Sequence, residues 1–273
     1  QRALTADLPA YTDEQVRFLQ ARFGPRAGLG PRVRSYVDVH HPEMAGALKP
    51  AYRYVTGGTK GITDGVMHTG DVMYDAALIF GRLAAGRSTV IESLGLTPKA
   101  FYLTTVHRAE NTDDVTRLTA IVRALIEAST PTCPVVWPLH PRTRSRLEAY
   151  GLLAPLSDAV RLTEPVDYWD MVRLEQSAAA ILTDSGGIQK EAYFHRTPCV
   201  TLRDETEWTE TVEAGWNSVV GCDPDRILRA LHEPSPTRHE IADYGDGHAA
   251  EKIIEALLQN EVVRDFAESC APG

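Results

Sequence analysis

The stretch "ILTDSGGIQKEA", Ile181–Ala192, runs from apolar residues through Thr-Asp-Ser-Gly-Gly straight into a helical pattern. "AAAILTD" reads as a buried strand and "GGIQKEAYFH" as the helix after it. Ser185, Gly186 and Gly187 therefore stand where a strand's carboxyl end meets a helix's amino end. The first helical N–H groups there lack intrahelical partners, and the helix dipole adds about half a positive charge. Glycine has no Cβ, so an anion such as a phosphate can approach the backbone closely. Ser185 suits an N-cap or a hydroxyl donor. Glu191, one turn on, shares a face with Gly187, and a carboxylate there suits the two hydroxyls of a ribose. A plain strand–helix turn with a capping serine accounts for the same residues.

Working outward, the chain from about residue 98 alternates strand and helix. Strand patterns are "AFYLTTVH", "PVVWPLH", "AVRLTEP", "TPCVTLR" and "NSVVG". Helical patterns are "DDVTRLTAIVRALIEAS", "PRTRSRLEAYG" ending at Gly151, "YWDMVRLEQSA", "ETEWTETVEAG" and "DPDRILRALHE". This alternation predicts an α/β fold, a Rossmann-like parallel sheet with helices on both faces, whose ligands bind at the carboxyl ends of the strands. "GHAAEKIIEALLQN", residues 247–260, reads as a late amphipathic helix. Residues 1–63 do not join the pattern. "TDEQVRFLQARFG", residues 12–24, reads as a helix, and the Gly- and Pro-rich remainder has no sustained period. The expected organisation is an unassigned segment 1–63, a domain 64–262 with its returning helix, and a tail 263–273.

Composition narrows the partners. The 273 residues carry a net charge of −9 and are 43% hydrophobic, enough for a sizeable core and without the basic run a nucleic-acid binder would show. No apolar run approaches the roughly 20 residues that span a bilayer, and no signal segment opens the chain. Cys133, Cys199, Cys222 and Cys270 lack CxxC spacing, so neither disulfides nor structural zinc are expected, and the expected location is cytoplasmic. The adjacent His40 and His41 have no partner cluster for a metal. No cofactor is expected. The first residue is Gln1 rather than Met, which suggests a fragment or a trimmed product.

Three further clusters sit at strand ends. "TTVHRAEN" offers His107, Arg108, Glu110 and Asn111, and a histidine there can bind a phosphate or move a proton. "PLHPRTR" offers His140, Arg142 and Arg144, and "RDETEW" offers Arg203 to Trp208. Four clusters on one edge of one sheet favour a nucleotide or nucleotide-sugar pocket.

Taken in order, "HTGDVMYDA", "TTVHRAEN", "PLHPRTR", "TDSGGIQKEA", "RDETEWTETVEAGWN" and "YGDGHAAEKI" resemble the non-hydrolysing UDP-N-acetylglucosamine 2-epimerases over Gly65 to Leu258. The resemblance implies the second domain of a two-domain GT-B-like fold, with a UDP-sugar in the cleft and a homodimer in the intact form. It implies that His107 contacts phosphate and supports catalysis. It likewise implies that Ser185, Gly186 and Gly187 hold the diphosphate and that Glu191 holds the ribose. The segment "EPVDYWDM", with Val166 and Met171, matches the uracil-contacting stretch, where family members can carry Gln and Phe. Trp208 stands where some members carry Arg. The GTRPE-, HGDT- and HVEAGLR-like segments and the PEE-like acids of the family's first domain have no counterpart in residues 1–63, so that domain is expected to be truncated. The implied reaction eliminates UDP to a 2-acetamidoglucal and adds it back with inversion at C2. The expected function is a UDP-N-acetylglucosamine 2-epimerase, present as a truncated chain. The alternatives are a noncatalytic UDP-sugar-binding remnant, a 2-epimerase of a related sugar such as a diacetamido uronic acid, or a GT-B glycosyltransferase.

Overall fold

The computed structural model describes residues 67–233, 236, 241 and 243–258. The expected helix 12–24, His40, His41 and the tail 263–273 lie outside the described residues. The residues from Gly70 to Ala250 form one compact unit, while the described residues 67–69 and 251–258 group apart from it.

The unit opens with helix α1 (Val72–Arg87) and the short α2 (Val90–Ser93). Strand β1 (Tyr102–Thr105) leads through α3 (Ala109–Thr112) and α4 (Val115–Ala128) to β2 (Val135–Pro138). Helices α5 (Pro141–Ala149) and α6 (Leu153–Ala159) precede β3 (Arg161–Thr163). Then come α7 (Tyr168–Ser177), β4 (Ala180–Thr183), α8 (Gly186–Phe194), β5 (Cys199–Thr201), α9 (Thr209–Glu213), β6 (Asn217–Val219), α10 (Pro224–Ala230) and the start of α11 (Ala249–Leu258), of which Ala249 and Ala250 belong to the unit. All six strands are parallel, in the order β3-β2-β1-β4-β5-β6. This is the doubly wound arrangement, and its chain reversal falls between β1 and β4.

Alternate strand residues feed opposite faces, as the two-residue period of a strand requires. Val135, Trp137, Leu182 and Val200 pack with Leu118, Ile121 and Leu125 of α4, Leu147 of α5, Leu156 of α6 and Ile227 of α10. Leu103, Val136, Ile181 and Cys199 face the other way, onto Val90, Ile91, Leu174 and Ala192. Trp137, Leu103 and Ile181 are fully buried, at about 1.5–3 kcal/mol each for an aliphatic or aromatic side chain. Helices thus cover both faces, and the strand ends are left to carry chemistry.

Local signals set the helix ends. Asp114 caps α4 by accepting from the backbone N–H of Thr116 at 2.8 Å and of Arg117 at 3.0 Å. Gly151 follows α5 with φ of 68°, the left-handed conformation that ends a helix readily only at glycine. One expected boundary shifts: the helix read over "ETEWTETVEAG" begins only at Thr209, and residues 205–208 form a loop. No helix among the described residues is long and apolar enough to cross a membrane.

Candidate functional site

The reversal between β1 and β4 brings two loops side by side. Thr105 and Thr183 are register partners whose hydroxyls lie 2.7 Å apart, and the Thr183 hydroxyl also accepts from the Ser185 N–H at 2.9 Å. One residue further, the fully buried Asp184 binds the β1 loop to β4. Its carboxylate accepts from the His107 N–H at 3.1 and 3.2 Å, the Arg108 N–H at 3.0 Å and Asn111 Nδ2 at 3.1 Å. Asn111 also donates to the Leu202 carbonyl at 2.9 Å, so the β5 loop joins the same knot. The His107 ring stays nearly half exposed, with Nδ1 3.7 Å from Asp184 Oδ1. His107 is thus held at its backbone and free to present its ring.

Ser185 is the N-cap of α8, and its hydroxyl accepts from the Ile188 N–H at 3.5 Å. Helix geometry leaves the Gly186 and Gly187 N–H groups without intrahelical acceptors. No described side chain accepts from either. Two side-chain donors gather at the same place. A Cβ added at Gly186 would lie 3.1 Å from Trp208 Nε1 and 3.6 Å from Arg108 Nη2. Trp208 Nε1 is buried and has no hydrogen-bond partner among the described residues. An N–H shut away from water and left unpaired costs free energy, which an arriving acceptor would recover. Lys190 Nζ lies 4.5 Å from the Trp208 ring centroid and pairs with Asp71, so its charge backs the ring. Arg203 grips Glu207 through two bonds of 2.8 and 3.0 Å, which holds that carboxyl down at about 2. Backbone N–H groups, an indole N–H and a guanidinium thus converge on one spot, a donor set matched to a phosphate.

Glu191 lies a turn along α8, and Tyr168 of α7 donates to its carboxylate at 3.3 Å. Burial pushes the Glu191 carboxyl above its ordinary range, while the Tyr168 bond and the Lys190 charge oppose that shift. Val166, just before α7, and Met171 on it pack against the second apolar cluster together with Ile188 of α8. His107, Ser185, Gly186, Gly187 and Trp208 therefore surround the β1–β4 reversal, while Glu191, Val166 and Met171 lie on or beside α7 and α8. The "PLHPRTR" group is otherwise engaged. His140 caps α5, Arg142 pairs with Asp113 at 2.8 Å and Arg144 with Glu164 at 3.0 Å. Sequence reasoning passed over Asp184 and Gln189. The signal for Asp184 was an acid ending an otherwise apolar strand.

Residues 59–258 match the family model described as UDP-N-acetylglucosamine 2-epimerase. The chain belongs to that family. A UDP-N-acetylglucosamine 2-epimerase homolog of Methanococcus maripaludis is 43% identical over 72% of this chain and 56% of the relative. The UDP-2,3-diacetamido-2,3-dideoxy-D-glucuronate 2-epimerase of Pseudomonas aeruginosa is 44% identical over 71% of this chain and 53% of that protein. The crystal structure of the Methanocaldococcus jannaschii UDP-GlcNAc 2-epimerase in complex with UDP-GlcNAc and UDP superposes with a TM-score of 0.65. The two are 33% identical, over 74% of this chain and 57% of that one. The chain thus spans about half the length of the curated relatives it matches. The parallel sheet expected from the alternation, and the family expected from the motifs, both stand.

Gly186 gives a direct probe of the donor cluster. In Gly186→Ala the new methyl meets the indole at 3.1 Å and occupies the space before the helix end. Alanine favours a helix over glycine by about 0.5–1 kcal/mol, so stability is expected to change by less than about 1 kcal/mol. Affinity for a phosphate ligand taken at that spot is expected to fall at least about tenfold, the equivalent of ~1.4 kcal/mol. Titration calorimetry beside a thermal melt checks both; unchanged affinity would place the phosphate elsewhere.

Proposed function

We propose that this chain supplies the UDP-binding half of a sugar-nucleotide 2-epimerase acting on UDP-N-acetylglucosamine. The observation that carries the reading is the buried, unpaired Trp208 N–H beside the open N–H groups of Gly186 and Gly187. In the proposed reaction the proton at C2 leaves to a base, the C1–O bond to UDP breaks, and a 2-acetamidoglucal forms. UDP then returns to C1 while a proton is delivered to the opposite face of C2. Negative charge grows on the leaving diphosphate as C1–O stretches. The helix end, Arg108 and Trp208 would meet that charge, which is how prearranged donors accelerate a reaction. His107 would bind the same phosphates from the β1 side. Glu191 would accept from the ribose hydroxyls, and Val166 and Met171 would border the uracil.

A diacetamido-glucuronate nucleotide is the second reading, favoured by the 44% identity to the Pseudomonas aeruginosa enzyme. We further propose a cytoplasmic location, which suits the free thiols of Cys133, Cys199 and Cys222. The homodimer implied by the family belongs to the same proposal.

Calorimetry with UDP tests the nucleotide half. Binding is expected, and Glu191→Ala should weaken it by about 1–3 kcal/mol, the range for a lost hydrogen bond to a charge. No heat from folded protein at millimolar UDP would sink the reading. By the family resemblance most of the acids for C2 would come from the first domain, so deuterium is not expected to enter C2 of UDP-N-acetylglucosamine incubated in heavy water with this chain alone. Exchange seen by NMR would show that this chain carries its own base.

A further inference from the structure

Trp208 owes its position to a closed ring of hydrogen bonds. Its backbone N–H donates to the Thr206 hydroxyl at 3.1 Å, and its carbonyl accepts from the Thr211 hydroxyl at 2.7 Å. Thr206 in turn donates to Gln189 Oε1 at 2.6 Å. Asn217 Nδ2 closes the ring by reaching both Thr211 Oγ1 at 3.0 Å and Gln189 Oε1 at 3.3 Å. Asn217 is itself fixed to β5, because its Oδ1 accepts from the Thr201 hydroxyl at 2.6 Å. Gln189 and Thr211 are fully buried and Asn217 nearly so. Such a ring holds its shape through its paired members, and here both backbone groups of Trp208 and the Gln189 carbonyl oxygen are paired, while the buried Gln189 Nε2 has no partner among the described residues.

The ring also explains why residues 205–208 do not continue the helix read from the sequence. The Trp208 backbone sits at φ −104° and ψ 62°, outside the helical region, and two threonine hydroxyls take the bonds that a helical turn would otherwise supply. Gln189 lies on α8, one turn after Gly186. The path from the helix's amino end to Trp208 therefore runs through a single turn of helix and two hydrogen bonds, Gln189 to Thr206 and Thr206 to the Trp208 N–H.

We propose that Thr206 and Gln189 are positioning residues that set the Trp208 indole N–H over the amino end of α8, ready to donate to a phosphate oxygen of a nucleoside diphosphate. This rests on reading that helix end as the diphosphate site. Valine at position 206 keeps the shape of threonine but can neither accept from Trp208 nor donate to Gln189. The Trp208 loop then gains freedom that binding must remove, and the loss acts only through the indole N–H.

The test is a double-mutant cycle on UDP affinity by calorimetry. Thr206→Val is expected to weaken UDP binding about tenfold, and Thr206→Ser to restore it to within about twofold. Trp208→Phe keeps a ring but removes the N–H. In that background Thr206→Val is expected to change affinity by less than about twofold, because coupled residues do not add. An equal loss in both backgrounds, or no loss in either, overturns the proposal. The indole 15N–H resonance of wild type, assigned by its absence in Trp208→Phe, gives a second readout that needs no Thr206 variant. It should move downfield on adding UDP, and a resonance that stays put while UDP binds overturns the proposal as well. Folded wild type that binds no UDP defeats instead the reading of the site.

Discussion

Asp184→Ala is expected to lower unfolding stability by about 3–5 kcal/mol, the cost of removing one member of a buried charged network. The carboxylate is fully buried and takes three donors of the loop after β1: two backbone N–H groups and the Asn111 amide. Alanine leaves the two backbone N–H groups with no acceptor, at about 1–3 kcal/mol apiece before the loop relaxes, and Asn111 with the Leu202 carbonyl alone. Relaxation would swing His107 and Arg108 away from α8, so UDP affinity should fall with stability. Asp184→Asn should fall between, since its amide oxygen can still accept while its NH2 confronts another donor. Denaturant unfolding with UDP titration checks both quantities. An alanine variant within about 1 kcal/mol of wild type would mean the knot is not what joins the loops.

Wild type is expected to lose stability relative to Glu175→Gln as pH rises, by about 1.4 kcal/mol for each pH unit above the ordinary carboxylate range. Glu175 of α7 is buried, neither of its carboxyl oxygens has a hydrogen-bond partner among the described residues, and its Oε2 lies 3.7 Å from the Nε2 of His195, which has none among them either. Burial, with the Glu191 charge adding to it, pushes the Glu175 carboxyl well above its usual value of 4.5. Burial, with Lys99 adding, pushes His195 down to about 4. The consistent state is a protonated Glu175 facing a neutral imidazole, one donor opposite one acceptor. The signs then follow. Glu175 holds a proton in the folded chain that the unfolded chain has released above 4.5, so its contribution is full below that value and fades upward until the folded carboxyl ionises. His195 works the other way, because the folded ring is already neutral while the unfolded ring titrates at 6.5, so stability rises between about 4 and 6.5. The two slopes oppose each other below pH 6.5, and above it Glu175 acts alone. Glutamine removes one slope and leaves the other. Unfolding free energies from pH 5 to 9 give the difference curve, and a flat difference would show that Glu175 is already ionised in the folded chain.

What the sequence made legible follows from the same physics. The strands were readable because each is short, apolar and bounded by polar turns, and the Ser-Gly-Gly corner because glycine there has few other uses. Helix α1 escaped notice because its pattern runs against the usual rule. Its buried face is built largely from small residues, Ala77, Gly81 and Ala84, while Val72, Ile79 and Leu83 are exposed, so apolar spacing does not mark the inward side. The loop at 205–208 was misread because its fate depends on Gln189 and Asn217, and no local spacing announces a partner 17 residues upstream in sequence. Asp184 was legible only as one letter of a motif. Its meaning came from donors on a loop more than 70 residues away.

The pairing of β1 with β4 also governs when this molecule becomes competent. Thr105 and Thr183 are separated by 78 residues along the chain, yet they join the centre of the sheet and flank the Ser-Gly-Gly corner. Entropy of closing such a loop grows as about (3/2)RT ln n, and that penalty precedes any reward from the contacts it permits. The outer βα units on either side can assemble from near neighbours, but neither owns a complete anion site. During synthesis on the ribosome, the β1 loop must therefore wait for β4 to emerge, with its three donors unanswered and its strand edge bare. A nascent chain in that interval is a sheet half with an open edge, and its exposure to wrong pairing ends at the moment β4 closes onto β1.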